Sequence, residues 1–478
     1  MKKILSIISA LLFLMPFVCI PERDAAAVSF PLKSTLHSES AMLINLDADT
    51  VIHEKNADAK QMPGPLVNIM TAVVVLEECS DLSEELTVDP AVYSSIYDSL
   101  RENNRSDDLP PCDVLDGDVL SVEDLLYCMM LTSSVEAAET LAFRFGGNSV
   151  PAFVDKMNEK AKALGMTSTN FTNPDGMFDI NQYTTVRDMS VLTKYALDVP
   201  KFENIAVTYS YTPSVPNPQS HEHIDEWVWK HTNFMMDINN DSYYYMGAKG
   251  IKTGNLVDAG RNLVTLASRD GNNYLAILMK SPFNNADGDL MYYHIDDAIT
   301  LFDWAFSHFS YQVILADTAE LGELPVSLAE GNDYVLARPA TEFSMLWYDE
   351  VDTSLIKKDK ITWNKTSLRA PVKKGDVLGE VTLEYSGEVL GTIQLVAVSD
   401  VNRSKSKYNI EVVKRFPKSQ WFRNAVKISV ILCLIYIMIC IYAWIVYKSK
   451  GKPLKPIYAV PKMDKKKKNK DSGSDRNE

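Results

Sequence analysis

Cysteine is scarce: six in 478 residues, with no Cys-x-x-Cys pair. That excludes a zinc ribbon or a dithiol redox centre built on such a motif. Cys19 lies in an N-terminal apolar run, and Cys433 and Cys440 lie in a C-terminal one. Cys79, Cys112 and Cys128 remain, an odd count that allows one disulfide plus one free thiol. Histidine offers no metal site either. His37, His53, His231, His294 and His308 show no ligand spacing, and His221-x-His223 in "SHEHIDE" reads as a polar loop. Neither a metal nor a cofactor is expected, and there is no internal repeat. Basic charge is short as well, with 48 Lys and Arg against 63 Asp and Glu, net −15. Eleven of those basic residues follow Tyr447, against four acidic ones; taking that net +7 from the whole leaves −22 for the rest. So acidic a body argues against nucleic acid as a partner.

Charge is scarce in two apolar runs. "MKKILSIISALLFLMPFVCI" has a Lys2-Lys3 start, and Ala25 and Ala27 precede Val28, which predicts an export signal over residues 1–27. Ile428 to Tyr447 is long enough to cross a bilayer as one helix. Its basic flank, including Lys465 to Lys468, predicts a cytoplasmic tail at 448–478, although Arg415, Lys418, Arg423 and Lys427 make the other flank basic too. The expected location is the cell membrane, single-pass, with the large N-terminal part extracytoplasmic.

What lies between has the apolar content, 46% over the whole chain, of folded protein. "SAMLINLDADTVIHEK" alternates around Asp47-Ala48-Asp49-Thr50 as a hairpin at a sheet edge does. A helix is predicted from near Pro65. "SVEDLLYCMMLTSSVEAAETLAFRFGG" reads as one helical stretch opened by Ser121 with Asp124 and closed by Gly146-Gly147. "VPAFVDKMNEKAKALGM" and "TTVRDMSVLTKYAL" are further amphipathic helices. "GAKGIKTGNLVDAGRNLVTLASRDGNNYLAILMK" reads as two apolar strands joined by Asp270-Gly271, with "GIKTG" at the start of the first. From about Gln312 to Val412 helical periodicity gives way to short alternating runs punctuated by turns.

Five blocks carry a resemblance, in order: "AMLINLDADTVIHEKNADAKQMPGPLVNIMTAVVVLE", "LSVEDLLYCMMLTSSVEAAETLA", "TNFTNPDGMFDINQYTTVRDMSVLTKYAL", "GIKTGNLVDAGRNLVTLASRDG" and "LRAPVKKGDVLGEVTLEYSGEVLGTIQLVAVSDV". They are similar to the serine-type D-alanyl-D-alanine carboxypeptidases of peptidase family S11, low-molecular-mass penicillin-binding proteins that trim peptidoglycan stem peptides. The resemblance spans Ser40 to Val412. It implies an α+β fold, with a β-lactamase/transpeptidase-like domain over 28–307, its antiparallel sheet flanked by helices. A small all-β domain over 312–412 and a membrane helix over 428–447 would follow.

The family uses Ser-x-x-Lys at a helix start, serine as nucleophile and lysine as base on the same face. Its "P-A-S-L-T-K-I-M-T-A" is here "P-G-P-L-V-N-I-M-T-A", so Pro65 stands at the nucleophile position and Asn68 at that of the base. Proline has neither hydroxyl nor N–H, and the family's oxyanion hole takes that residue's amide. Asn68 takes up no proton near neutral pH. In the second motif Ser133 is kept but Val135 replaces asparagine, and in "TNPDG" Asp175 replaces a common histidine. Lys252, Thr253, Gly254 and the amide of Asn255 are the surviving substrate-binding elements, expected on an exposed strand edge that could grip a carboxylate. Ser354-x-x-Lys357 and Ser404-x-x-Lys407 match the motif by chance, and Thr71 has no lysine one turn on.

The resemblance with these departures implies a membrane-anchored homologue that has lost catalysis and binds or scaffolds at the cell wall. Peptidoglycan stem peptide and cell-wall or division proteins would be its partners. The alternative is an active carboxypeptidase trimming stem peptides.

Overall fold

The computed structural model describes residues 30–102, 114–213, 227–449 and 451. The expected signal at 1–27, Cys19, Cys112, His221, His223 and tail residues 452–478 lie outside them. By internal contacts the chain forms two units, one of Met1–Leu321, Arg338–Asn364 and Val377–Val396, the other of Gly322–Ala337, Lys365–Asp376 and Ala397–Glu478.

In the first unit the N-terminal hairpin forms as its alternation requires. Strand β1 (Ser40–Asn45) pairs antiparallel with β2 (Thr50–Lys55). "PGPLV" then enters helix α1 (Asn68–Glu78) through a short 3₁₀ turn, Gly64–Val67. From Asn68 to Val75 every residue of α1 is buried, because a helix apolar on all sides has no face to offer water. Full burial of each of its Val, Ile and Met side chains contributes about 1.5–3 kcal/mol. Strand β3 (Glu85–Thr87), helix α2 (Pro90–Glu102) and strand β4 (Val119–Ser121) follow.

The stretch read as one helix is two, α3 (Val122–Thr132) and α4 (Val135–Phe145). Ser121 and Asp124 form a reciprocal capping box at the start of α3, as expected. Ser133 then turns into the left-handed region (φ 65°, ψ 30°), and the Ser134 hydroxyl caps α4 by accepting from the Ala137 amide at 3.0 Å. Two consecutive serines compete with the helix backbone for hydrogen bonds, and that breaks an otherwise continuous apolar pattern. Helices α5 (Val150–Ala163), α6 (Val186–Asp198) and α7 (Phe202–Ala206) follow, then the short strands β5 (Ser210–Tyr211) and β6 (Trp229–Lys230). Helices α3, α4, α5 and α6 all pack on α1.

The "GIKTG" region also differs from expectation, with three strands in place of two: β7 (Ala248–Leu256), β8 (Gly260–Arg269) and β9 (Asn272–Ser281). Asp270 and Gly271, both at positive φ, turn β8 into β9. A second short connection through Val257, Asp258 and Ala259, unnoticed in the pattern, separates β7 from β8. The sheet runs β2-β1-β9-β8-β7, antiparallel throughout, so β7 is an edge strand. Helix α8 (Tyr293–His308) packs on β8 and β9.

From Phe309 to Ala397 the described residues hold eight strands and no α-helix. Within the second unit, Gly322–Ser327 pairs antiparallel with Tyr334–Pro339 and parallel with Leu368–Arg369. A helix at Lys405–Arg415 overlaps the end of the region expected to be all β. Gln420–Ser449 forms a 30-residue helix long and apolar enough to cross a membrane.

Candidate active site

Pro65 sits inside the 3₁₀ turn and is buried. The turn is gripped from two sides. A Cβ added to Gly176 would lie 2.2 Å from the Gly64 carbonyl oxygen, and one on Gly254 would lie 3.0 Å from that of Pro63. The Asn173–Gly176 turn and strand β7 therefore both close on the segment that carries Pro65, and glycine is what permits the approach. Asn68, fully buried, points its amide at the loop: Nδ2 donates to the Pro174 carbonyl at 3.1 Å, and the Thr71 hydroxyl donates to the same oxygen at 2.7 Å. A side chain at the base position is thus a loop clamp.

Across from it, Val135 opens α4 with no exposed surface, packed in the apolar core. Its neighbour Glu136 is held by the Ser134 hydroxyl at 2.8 Å and by the Tyr97 hydroxyl. Ser133 does not bond its own helix through its side chain. Its Oγ receives the ammonium of Lys252, Nζ to Oγ 2.5 Å.

The surviving motif is not where an exposed edge would put it. Strand β7 is an edge strand, but Lys252 is 0% and Thr253 3% exposed; Asn255 alone of the four faces solvent. The alternation of the strand turns Lys252 and Thr253 toward neighbouring elements, where Thr253 shares a 2.5 Å hydrogen bond with Thr232. Burial pulls the Lys252 pKa down to about 7. Beside it His231 is pushed down to about 3, by burial first and then by the lysine's charge. The Asn233 amide donates to His231 Nδ1 at 3.0 Å, which leaves the proton on Nε2, 3.3 Å from the Ile251 carbonyl oxygen.

A second buried centre escaped the sequence reading. Asp175 is fully buried; its Oδ1 accepts from the Met177 amide at 2.8 Å, while Oδ2 has no conventional donor. Glu139, 3% exposed on α4, lies against it. Burial first, then the neighbouring Asp175 carboxyl, raises Glu139 to about 9, and burial raises Asp175 to about 6. The missing donor is thus the proton of Glu139, shared between the two acids at neutral pH. The only sequence signal for this was a second glutamate in "VEAAETLA", one turn beyond Glu136 in a stretch otherwise mostly apolar.

The remaining candidates separate cleanly. Ser404 caps its helix through the Lys407 amide, while Lys407 Nζ donates to the Ala329 carbonyl, so the two side chains do not form a pair. Ser354 lies in a 3₁₀ turn and Lys357 pairs with Glu384. Cys79 and Cys128 are both free thiols. Among the described residues no three His, Cys, Asp or Glu side chains are grouped to hold a metal.

Comparison with known proteins meets this geometry from outside. Residues 25–282 match the peptidase S11 family, D-alanyl-D-alanine carboxypeptidase, and residues 330–403 match the C-terminal domain of penicillin-binding protein 5. The chain is 23% identical over 372 residues to the D-alanyl-D-alanine carboxypeptidase DacF of Bacillus subtilis, covering 77% of this chain and 86% of that protein. It is 31% identical over 256 residues to a Streptomyces D-alanyl-D-alanine carboxypeptidase, covering 52% and 82%. The crystal structure of the carboxypeptidase DacD from Francisella tularensis shares the fold, with TM-score 0.55 and 20% identity over 78% of this chain and 96% of that one. With the sheet, the buried helix that follows Pro65 and the later β region all in the expected order, the chain belongs to the peptidase S11 family of D-alanyl-D-alanine carboxypeptidases.

Proposed function

We propose that the protein is a membrane-anchored, extracytoplasmic member of this family that does not perform its acyl transfer, and that it works in peptidoglycan metabolism by binding or scaffolding. One observation carries the reading: the nucleophile position is a buried proline, and the base position is an asparagine whose amide is spent on the Pro174 carbonyl. Loss of a nucleophile alone lowers turnover in serine hydrolases about a millionfold. Anchoring is supported by the apolar helix Gln420–Ser449, and the expected signal and basic tail would orient it. Stem peptide would pair with the edge of β7 that no strand occupies, with Lys252, Thr253, Gly254 and the Asn255 amide receiving its carboxylate end. Because Lys252 and Thr253 are closed off by Ser133 and Thr232, such binding requires those two hydrogen bonds to give way.

The test uses the full chain in detergent micelles and a stem pentapeptide ending in D-Ala-D-Ala. Release of D-alanine above the uncatalysed level would refute the reading. Saturable binding that weakens in Lys252→Met is expected; binding indifferent to that change would move the ligand away from β7.

A further inference from the structure

The site without its family nucleophile still contains a hydroxyl facing an amine. We propose that Ser133 and Lys252 form a serine–lysine pair in which Ser133 is a nucleophile toward small acylating or sulfonylating electrophiles.

Three features of the geometry support this. Ser133 is held at φ 65° between α3 and α4, a conformation disfavoured for a non-glycine residue that the two flanking helices maintain. In that conformation its Oγ lies 2.5 Å from Lys252 Nζ. Lys252 is fully buried and, among the described residues, no carboxylate pairs with it; its side-chain hydrogen bond goes to Ser133. The titratable neighbour is His231, neutral and with its Nδ1 already occupied by the Asn233 amide. Glu136 is taken up by Tyr97 and Ser134. An ammonium in such a place lacks a counter-ion, so the neutral amine, a base, is favoured relative to water. Burial holding the lysine near pH 7 agrees with this. Once Nζ is unprotonated the hydrogen bond reverses, with the Ser133 hydroxyl donating to nitrogen, the orientation a general base needs.

The step balances without a further reactant. With an arylmethanesulfonyl fluoride, Ser133 Oγ attacks sulfur, the O–S bond forms, the S–F bond breaks and fluoride leaves. The serine proton passes to Lys252 Nζ and then to water. An activated ester reacts likewise at its carbonyl carbon, releasing the alcohol. Neither reaction needs Pro65 or Asn68, so the proposal goes beyond the binding function and stands or falls separately.

The experiment treats the full chain in detergent micelles with phenylmethanesulfonyl fluoride and locates the adduct by peptide mass mapping. The expected result is one adduct on Ser133, absent in Ser133→Ala, forming about a hundredfold more slowly in Lys252→Met. In the unmutated protein its rate should rise with pH and reach half its plateau near pH 7. The pH profile needs no variant, so it decides even if Lys252→Met fails to fold. No adduct on Ser133 over pH 6–9, a flat profile, or an undiminished rate in a folded Lys252→Met protein would each overturn the proposal. D-alanine release measured on the same samples reports separately on the loss of carboxypeptidase activity.

Discussion

The Glu139–Asp175 pair makes stability depend on pH in an unusual direction. Both carboxyls titrate above their ordinary values in the folded chain, Asp175 at about 6 and Glu139 at about 9. In the unfolded chain both lose their protons by about pH 5. A raised carboxyl favours the folded state most in acid and loses that contribution as pH climbs toward the folded value. Between pH 6 and 8 the folded pair keeps one proton that the unfolded chain has given up, so stability falls steadily with pH, by roughly 3 kcal/mol over the interval. For a domain of this size that lowers the melting midpoint by about 5–8 °C. Thermal unfolding of the full chain in detergent micelles, followed by circular dichroism at pH 6, 7 and 8, should show the decline. Glu139→Gln should flatten it, because an amide donates to Asp175 Oδ2 without titrating. Equal slopes in the two proteins would refute the shared proton.

Other expectations concern the closed cleft. Asn68→Ala and Thr71→Val should each lower stability by about 1 kcal/mol in urea unfolding, and the double variant should depart from additivity because both groups donate to one carbonyl. Gly176→Ala should cost about 3 kcal/mol or prevent folding, since its φ is +85° and the new Cβ meets the Gly64 carbonyl; a neutral effect would mean the loop is free to withdraw. Pro65→Ser combined with Asn68→Lys should not restore covalent labelling by a fluorescent penicillin at the rate of an active relative, because Val135 still supplies no amide. Labelling at that rate would show that the missing amide at Val135 matters less than its place in the second motif implies.

The fold was legible where local chemistry and tertiary packing agree. The alternation around Asp47–Thr50, the Ser121 capping box and the Asp270-Gly271 turn are local devices, and each produced the element it predicts. The reading failed where a break carries neither glycine nor proline. "TSSVE" lacks glycine and proline, so nothing in the period announced that Ser133 would leave the helix. The β7–β8 connection has its glycine only at Gly260, the first residue of the next strand. Site residues were found by their place in motifs, but their partners were not. Thr232, His231 and Glu139 belong to no motif and reach Thr253, Lys252 and Asp175 only through the fold.

These partners give the substitutions a common sense. Asn68 cannot act as a base, but its amide ties down the loop at Pro174, which an alkylammonium would hold only by leaving a charge buried. Pro65 removes a donor from a turn that loses nothing by it. Asp175 cannot bring a cation to the cleft, yet with Glu139 it fixes the same loop to α4 through a shared proton. Val135 fills core where an amide would need a partner. Pro65, Asn68, Asp175 and Val135 thus each spare the fold a buried polar demand or add a tie across the cleft. The cleft at these positions is closed and packed. Ser133 and Lys252 are the exception: a buried lysine without a counter-ion serves packing poorly. Replacing Lys252 with methionine should therefore raise the melting midpoint in thermal unfolding, and an unchanged or lowered midpoint would show that the fold accommodates the buried amine at no cost.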